Sequence, residues 1–553
     1  MDYLEKYQLW KEKVNDKSLF EELCDLDKDD IEDAFYKDLA FGTGGLRGVL
    51  GVGTNRMNIY VVAKASQGLS NYLKKNFEKP SVAIGYDTRI NSDVFSKVAA
   101  EVFSFNNIKV YYYSEPLPVP TLSYATRELD CSAGVMITAS HNPAEYNGYK
   151  VYGKDGCQIT TETAKNILEE IDKINEFEVK KKPFDDNELI NFISEDILSR
   201  YIEEVKKQSY LYGEEIDKNI SVIYTPLNGT GAKPVSRVLM ELGYSNVITV
   251  KEQELPDGNF PTCPYPNPEI REALDLGIKY AKENKADILI ASDPDCDRVG
   301  VAVKDEDDFI VLNGNQVGVL LLNYICEQRT KHNKMPKNPI LIKTIVTTDL
   351  AEKIAEKYGV KTINVLTGFK FIGEQIGLLE REKRLDDFVF SFEESDGYLS
   401  GTYVRDKDGV NGSCLVCEMF AYYKTHDVSL IEKLEEIYKK FGYYTSSLES
   451  FEFPGLDGFN KMKTIMEKLR KDPIKEICDS KIVKCDDYLT GIENLPKSDV
   501  LKLFLDNGST VVIRPSGTEP KLKLYVSTIN DDYNRSIDDN EKIKKIMQSR
   551  FEL

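Results

Sequence analysis

Several residue types are scarce in this chain of 553 residues. It contains three histidines and one tryptophan, and Lys and Arg (72) are outnumbered by Asp and Glu (92), which gives a formal net charge of −20. This acidic balance opposes sequence-independent binding to nucleic acid or to an anionic membrane. No apolar run reaches the roughly 18 residues that suggest a membrane span, and residues 1–6 do not begin a secretory signal. The sequence therefore predicts a soluble, cytoplasmic protein.

The ten cysteines are scattered along the chain, which indicates free thiols in a reducing compartment rather than a disulfide framework. Cys414 and Cys417 have the spacing of a metal or redox pair, but they lie in the helix-like segment 412–423. No second pair of this kind is present, and the three histidines are too few to complete a zinc site readily. A zinc or redox function is therefore not favoured.

The length exceeds what one hydrophobic core usually supports, so several domains are expected. Between residues 80 and 400 the order strand, helix, strand, helix, strand is predicted three times, with the closing strands 133–137, 288–291 and 388–390. Strands that alternate with helices favour parallel pairing with right-handed crossovers. From about residue 445 the pattern changes to hairpin-like strands with two helices. The predicted fold class is α/β: three similar mixed-sheet α/β domains, followed by a C-terminal α+β domain.

The predicted domains span residues 1–205, 206–325, 326–443 and 444–553. Residues 1–40 are predicted to form acidic helices that pack on the first domain. The charged segment 187–218 is predicted to be a helical linker without a strand.

Four polar loops follow four apolar strands. Because α/β proteins place their chemistry at the carboxyl ends of strands, we expect the first three loops to face one shared cleft. The loops are Thr-Ala-Ser-His-Asn-Pro (138–143), Asp-Pro-Asp-Cys-Asp-Arg (293–298), Glu-Glu-Ser-Asp-Gly (393–397) and Arg-Pro-Ser-Gly-Thr (514–518).

The second loop has the chemistry of a metal site. Asp293, Asp295 and Asp297 alternate along what is predicted to be a short extended loop, which Pro294 keeps out of a helix. Three carboxylates at this spacing can converge on one hard cation, and oxygen-only ligands suit Mg²⁺. The alternative is an acidic turn that is simply solvated.

The other loops suit phosphate and sugar groups. Arg514 can bind two phosphate oxygens at once, and hydroxyls, a glycine and two lysines accompany it, although Ser-Gly-Thr is also ordinary turn chemistry. The segment Phe-Gly-Thr-Gly-Gly-Leu-Arg-Gly (41–48) resembles a phosphate cradle but lacks the ending of a nucleotide P-loop. We interpret Arg47 as an anion contact near Ser140. Glu393 and Ser395 could bind sugar hydroxyls, or be solvated.

These motifs, in this order, resemble those of the α-D-phosphohexomutase superfamily over nearly the whole chain. The resemblance rests on the four loops above and on the glycine-rich segment 41–48. Many bacterial phosphomannomutases/phosphoglucomutases carry a histidine just after the Glu-x-Ser of the sugar loop, where this chain has Gly397 and Tyr398. The chain looks closer to the branch with bacterial phosphoglucomutases, phosphopentomutases and glucose-1,6-bisphosphate synthases.

The resemblance implies a four-domain, heart-shaped enzyme with a central cleft and a phosphoserine. It implies interconversion of glucose 1-phosphate and glucose 6-phosphate, with one Mg²⁺ per subunit and glucose 1,6-bisphosphate as intermediate and activator. Phosphomannomutase, phosphopentomutase or glucose-1,6-bisphosphate synthase activity remains an alternative, and so does a sugar-phosphate phosphatase or a non-catalytic binder. The implied partner is a small sugar phosphate, with no nucleic acid and no membrane, and the oligomeric state, monomer or dimer, is left open.

The resemblance also implies roles for individual residues. Ser140 is the phosphoserine, and one oxygen of its phosphate joins Asp293, Asp295 and Asp297 around the metal. Arg47 and Arg298 contact the transferring phosphoryl group, and the general base is His141, Lys150 or Lys407. The residues implied to bind the sugar and its second phosphate are Thr367, Gly368, Lys370, Glu393, Ser395, Arg514, Ser516, Gly517, Thr518 and Lys523.

Overall fold

The structure is a computed structural model that describes residues 2–42, 44–453, 455–492, 495–516 and 521–551. Within these ranges the chain forms four β-sheets that follow one another in sequence, one for each predicted domain. The four-domain architecture is therefore confirmed, while the exact domain boundaries stay predictions. No helix of the described residues combines the length and apolarity needed to cross a membrane.

Three short helices precede the first sheet, as predicted. Asp2, Asp16 and Asp27 each cap one of them by accepting a hydrogen bond from a backbone N–H, which explains part of the acidic composition. Trp10 is buried and packs edge-on against Tyr60 of the first domain, with ring centroids 5.5 Å apart. The helices are α1 (Tyr3–Lys13), α2 (Lys17–Asp25) and α3 (Lys28–Phe35).

The first sheet has a parallel centre and an antiparallel edge. Its elements are β1 (Gly45–Val49), α4 (Ile59–Asn76), β2 (Ser81–Tyr86), α5 (Ser92–Phe105), β3 (Lys109–Tyr112), α6 (Val119–Glu128), β4 (Ala133–Ile137), β5 (Tyr146–Gly153), α7 (Thr161–Ile171), β6 (Ile190–Phe192) and α8 (Glu195–Lys206). The strand order is β1-β5-β4-β2-β3-β6, with β5 antiparallel to both neighbours.

One prediction for this region is wrong. The segment 187–218 contains a strand, because β6 pairs in parallel with β3, and its three residues are too few to show an alternating pattern. The glycine-rich segment 41–48 leads into the first sheet, because β1 pairs with β5 from Gly45 to Val49.

The second and third sheets repeat this plan. The second domain contains β7 (Val222–Thr225), α9 (Ala232–Glu241), β8 (Val247–Thr249), α10 (Lys251–Glu254), α11 (Arg271–Glu283), β9 (Ile288–Ser292), β10 (Val299–Asp305), β11 (Asp308–Leu312) and α12 (Gly314–Lys331). The third contains β12 (Ile340–Thr344), α13 (Leu350–Lys357), β13 (Lys361–Val365), α14 (Phe369–Arg381), β14 (Phe388–Glu393), β15 (Gly397–Leu399), α15 (Gly409–Thr425) and α16 (Leu430–Phe441).

In each of these three sheets the polar loop joins a parallel strand to an antiparallel one. The pairs are β4 with β5, β9 with β10, and β14 with β15. Each loop therefore turns back sharply at the sheet edge instead of leading into a helix. This reversal concentrates side chains from both strands at one point.

The fourth sheet is antiparallel, as its hairpin-like sequence predicts. Its elements are β16 (Tyr443–Glu452), α17 (Gly455–Lys471), β17 (Glu476–Ile477), β18 (Ser480–Asp487), β19 (Leu501–Leu505), β20 (Thr510–Pro515), β21 (Lys521–Asn530) and α18 (Tyr533–Arg550). It has its own buried core, whereas the largest buried cluster is continuous through the first three domains. A smaller buried cluster, which includes Ile345, Leu366, Val512 and Tyr525, joins the third domain to the fourth.

Candidate active site

Ser140 lies on a short turn between β4 and β5. Its backbone is in the left-handed region (φ 53°), which non-glycine residues rarely adopt. The side chain of Thr138 holds this conformation by accepting a hydrogen bond from the Ser140 N–H at 2.8 Å. The Ser140 hydroxyl is nearly buried, and it donates a hydrogen bond to Asp293 Oδ2 at 2.8 Å. The first and second domains therefore meet at the predicted nucleophile.

The three aspartates do converge, but not along an extended loop as predicted. Residues 293–297 form a turn closed by the Cys296 N–H, which donates to the Asp293 carbonyl at 2.9 Å. The Asp293 side chain also accepts from the Asp297 and Arg298 N–H groups at 3.0 Å. One carboxylate oxygen from each aspartate lies within 4.8 Å of the others. The turn, rather than strand alternation, brings the carboxylates together.

This cluster fits a hard divalent cation. All three aspartates are fully buried, and Asp295 Oδ1 and Asp297 Oδ1 have no hydrogen-bond partner within the part of the chain that the structure describes. Burial, together with the charges of the other two aspartates, raises the pKa of Asp293 well above its usual value. Buried anionic oxygens without partners are costly unless they bind a cation. The residues present therefore fit a Mg²⁺ site.

Two lysines lie against the same carboxylates. Lys150 Nζ, from β5, is 2.9 Å from Asp295 Oδ2, and Lys407 Nζ, from the third domain, is 2.8 Å from Asp297 Oδ2. Burial favours neutral lysine, but the neighbouring carboxylates outweigh it and raise the pKa of both. Both candidate bases are therefore charged while the carboxylates are paired with them.

His141, the third candidate base, directly follows the nucleophile. Its Nδ1 lies 3.3 Å from Ser140 Oγ. Burial, aided by the charges of Arg298 and Arg47, lowers the pKa of His141 well below its usual value. All three candidates are thus brought to the Ser140 and aspartate cluster.

Lys407 reaches the site on a loop that the first domain helps to anchor. Arg405 is fully buried, and its guanidinium lies 2.9 Å from Glu380, which is also 2.8 Å from Arg127 of the first domain. Tyr152 donates a hydrogen bond to Asp406 at 2.8 Å. These contacts, which the sequence did not indicate, hold the loop between the domains.

Arg47 and Arg298, which are predicted to contact the transferring phosphoryl group, lie beside the Ser140 turn and the aspartate turn, respectively. Arg47, on β1, donates to Asn142 Oδ1 in the Ser140 loop at 3.4 Å. Arg298 is mostly buried, lies 3.9 Å from Asp297 Oδ1 and is paired with Glu269. The pairing of Arg298 with Glu269 was not predicted from the sequence. Glu269 lies shortly before α11 and outside the predicted loops, so the sequence carries no signal for this contact.

The structure brings together two of the residues predicted to bind the sugar, Glu393 and Gly368. Glu393 Oε1 accepts a hydrogen bond from the Gly368 N–H at 3.0 Å, and the φ of 116° at Gly368 requires glycine. Glu393 is buried rather than solvated, and burial raises its pKa to about 7 against the pull of Lys407 and Arg298. Ser395 instead lines a smaller cavity beside Glu269. Within the loop 393–397, Glu393 therefore contacts Gly368, whereas Ser395 lines the smaller cavity.

A cavity of about 650 Å³ separates the third and fourth domains. Thr367 and Lys370 line it from one side, and Arg514 and Ser516 from the other. Among the described residues Arg514 Nε is buried without a hydrogen-bond partner, and a buried donor of this kind suits an anion. Lys523 lies opposite Arg514 on β21. Gly517 and Thr518 fall outside the described residues.

The chain matches known family models over most of its length. Models described as phosphoglucomutase/phosphomannomutase alpha/beta/alpha domains I, II and III and the C-terminal domain match residues 38–178, 199–306, 313–441 and 463–542. A phosphoglucomutase from Staphylococcus aureus is 35% identical over 538 residues, which cover 94% of this chain and 95% of that protein.

Solved structures share the fold. The phosphoglucomutase pp63/parafusin from Paramecium, in an open form, has a TM-score of 0.70 at 18% identity and covers 94% of this chain and 95% of its own. A phosphoglucomutase/phosphomannomutase family protein from Burkholderia thailandensis has a TM-score of 0.67 at 17% identity, with 92% and 97% covered. Four such domains in this order define a phosphohexomutase. The chain belongs to the phosphoglucomutase/phosphomannomutase family, which confirms the resemblance.

Proposed function

We propose that the protein is a phosphoglucomutase, which interconverts glucose 1-phosphate and glucose 6-phosphate through a phosphoserine at Ser140 and a glucose 1,6-bisphosphate intermediate. The observation that carries the proposal is the 2.8 Å hydrogen bond from Ser140 Oγ to Asp293, because it sets a nucleophile against a cluster of metal-binding type. The relative named phosphoglucomutase in Staphylococcus aureus supports the choice of glucose.

In the proposed reaction a free hydroxyl of the sugar monophosphate attacks phosphorus on Ser140. The bond from Ser140 Oγ to phosphorus breaks as the bond to the sugar oxygen forms. The hydroxyl proton passes to His141, or to Lys150 or Lys407 once that lysine has released its own proton. When bound by Asp293, Asp295 and Asp297, Mg²⁺ would neutralise charge on the phosphoryl oxygens. Arg47 and Arg298 would contribute positive charge around the same oxygens.

The proposal gives the second phosphate its own site. In the half-reaction one phosphate is transferred while the other is held by Arg514, Ser516, Lys523 and Lys370 around the cavity between the third and fourth domains. Glu393 and Thr367 would orient the sugar hydroxyls between the two sites. The bisphosphate then turns end for end and returns its other phosphate to Ser140, so that no net phosphate is consumed.

A coupled assay tests this function. Glucose 6-phosphate formed from glucose 1-phosphate is detected with its NADP-dependent dehydrogenase, with and without added glucose 1,6-bisphosphate. Mannose 1-phosphate and ribose 1-phosphate, each with its own coupling enzyme, are compared at matched concentrations. A higher kcat/KM for either of these would replace glucose in the proposal, and release of inorganic phosphate without isomerisation would contradict it.

We also infer a reducing, cytoplasmic location. All ten cysteines are free thiols, and most of them are buried. Cys414 and Cys417 both lie inside α15, where burial raises the pKa of each thiol. Such thiols are unreactive and persist most readily where the surroundings are reducing.

Arg514→Ala tests the site for the second phosphate. The change removes a two-point clamp, and a hydrogen bond to a charged group contributes about 1.5–3 kcal/mol, so kcat/KM should fall by roughly ten- to a hundredfold. Slow hydrolysis of the phosphoserine should continue, since the Ser140 turn is untouched. Arg535→Ala, in an exposed part of α18, serves as the control. Unchanged kcat/KM in Arg514→Ala would remove the fourth domain from phosphate binding.

Lys370 gives a pH-dependent prediction. Burial, reinforced by the charge of Arg514, lowers the pKa of Lys370 to about 8. A phosphate dianion binds better to the charged form, so affinity is greatest below this pKa and KM should rise as the pH passes through it. In Lys370→Arg the charge persists, and KM should stay level from pH 7 to 9. Identical pH profiles of KM for the two enzymes would contradict the assignment.

A further inference from the structure

Arg89 is a buried arginine immediately after β2, in the polar run Asp-Thr-Arg (87–89). Its side chain has no exposed surface. Both terminal nitrogens of its guanidinium donate to backbone carbonyls of the turn that carries Ser140. The acceptors are the carbonyl oxygens of Ser140 (2.6 Å), Asn142, Pro143 (2.8 Å) and Tyr146 (3.1 Å).

A second buried group keeps the guanidinium in place. The carboxylate of Asp87 is also without exposed surface and lies 3.4 Å from Arg89 Nε. Its other oxygen accepts from the Arg89 N–H at 2.9 Å and from the Ser92 hydroxyl at 2.7 Å. Asp87 thus fixes Arg89 both by charge and through the backbone, and Arg89 in turn ties together the start and the end of the Ser140 turn.

The second domain closes over this arrangement. The guanidinium carbon of Arg89 lies 5.1 Å from the ring centroid of Phe260. At Gly258 a Cβ would come within 2.5 Å of the Ile90 nitrogen, so the loop 257–260 packs directly on the backbone that follows Arg89. Arg89 therefore touches the Ser140 turn on one side and the second domain, which carries the aspartate cluster, on the other.

We propose that Arg89 is a positioning residue for phosphoryl transfer: it fixes the Ser140 turn, including the left-handed backbone of Ser140, in register with the aspartate turn of the second domain. This rests on the proposed function, in which Ser140 carries the phosphoryl group. Arg89 is too deeply enclosed by protein carbonyls to serve as a substrate contact. Its effect is on where Ser140 Oγ lies, and a misplacement of about 1 Å can cost a hundredfold in rate.

Arg89→Lys is the variant that tests the proposal. A lysine keeps the charge but cannot donate to four carbonyls in one plane. We expect kcat to fall by about ten- to a hundredfold, with KM within about threefold of wild type because the phosphate and sugar residues of the third and fourth domains are unchanged. Hydrogen–deuterium exchange of the amides in residues 138–146 should become faster.

Arg329→Lys is the matched control. Arg329 is also largely enclosed and stacks on an aromatic ring, that of Tyr210 at 5.2 Å, but it contacts neither the Ser140 turn nor the aspartate turn in the described residues. This variant should lose stability without a change in kcat or in exchange of residues 138–146. If Arg89→Lys does not fold, Phe260→Leu keeps the arginine and removes the ring over it. That variant should show the same separation of kcat from KM and the same local exchange, to a smaller extent.

Two results would overturn the inference. One is wild-type kcat together with wild-type exchange in folded Arg89→Lys, or in Phe260→Leu where that variant replaces it. The other is a fall in kcat that is no larger than the fall in the fraction of folded protein, which is what a purely structural role would produce. Failure of the proposed function would be seen separately, because wild-type protein would then show neither mutase activity nor phosphate on Ser140. The exchange measurement on residues 138–146 depends on neither of these, so it tests the role of Arg89 by itself.

Discussion

Ser140→Ala should reduce the mutase rate to background, a loss of about ten-thousandfold or more, as expected when a covalent nucleophile is removed. The hydroxyl of Ser140 is the one set against Asp293, at 2.8 Å. Thr138 cannot replace it, because its hydroxyl is occupied by the Ser140 N–H and by Asp295 Oδ2 at 3.0 Å. His141 directs a ring nitrogen toward the same oxygen and offers no equivalent hydroxyl.

Intact-mass analysis provides the direct measurement. Wild-type protein incubated with glucose 1,6-bisphosphate should gain one phosphate on the peptide that contains Ser140, and Ser140→Ala should gain none. Ser96→Ala is the control and should gain the phosphate as wild type does. Ser96 is a buried serine on α5 whose hydroxyl is hydrogen-bonded to that of Tyr112 at 2.7 Å, away from the aspartate turn. Turnover in Ser140→Ala at the wild-type rate would rule out the phosphoserine.

The second large effect is expected for Asp295→Asn. The change keeps the shape of the side chain but removes a negative charge from the three-carboxylate cluster. A metal ion contributes several kcal/mol of transition-state stabilisation, so kcat should fall by about a hundredfold or more. The variant would also lose the ion pair between Asp295 and Lys150, which is 2.9 Å long in the wild type. The fold should survive, since the turn is closed by backbone hydrogen bonds.

Metal binding can be measured apart from activity. A ligand that binds only the folded state raises the free energy of unfolding, by about 2.7 kcal/mol at a hundred times its Kd. The Tm of wild type should therefore rise with Mg²⁺ and fall with EDTA, and that of Asp295→Asn should respond little. Asp308→Asn, at the exposed start of β11, should behave as wild type. If chelation changed neither Tm nor rate in wild type, the cluster would have a structural role only.

Much of the fold was predictable because local patterns report local structure. The predicted strand 133–137 is confirmed residue for residue, and the predicted strands 288–291 and 388–390 are confirmed as parts of the slightly longer β9 and β14. Continuous apolar runs mark strands buried on both faces, and polar residues mark where they end. The antiparallel strands β5, β10 and β15 were not predicted, since they follow the loops without the helix that separates parallel strands.

The candidate site was predictable to the extent that it lies in short segments. Ser140, Asp293 and Arg514 were identified because each follows an apolar strand and belongs to a motif whose chemistry can be read from a few residues. Arg89 gives the same signal, since Asp87 directly follows β2, but its contacts with the Ser140 turn lie about fifty residues further along the chain and cannot be read from its own segment. Arg405 and Glu380 were missed for the same reason.

The sequence by itself determined the order of domains, the strands that deliver each loop and the residue types available for chemistry. Only the tertiary structure decided which of these residues meet: Ser140 with Asp293, Lys407 with Asp297, and Gly368 with Glu393. It also decided that residues 293–297 turn instead of extending. The physical reason is that hydrophobic periodicity acts over one element at a time, whereas these contacts depend on how separate domains pack and on which buried charges find partners there.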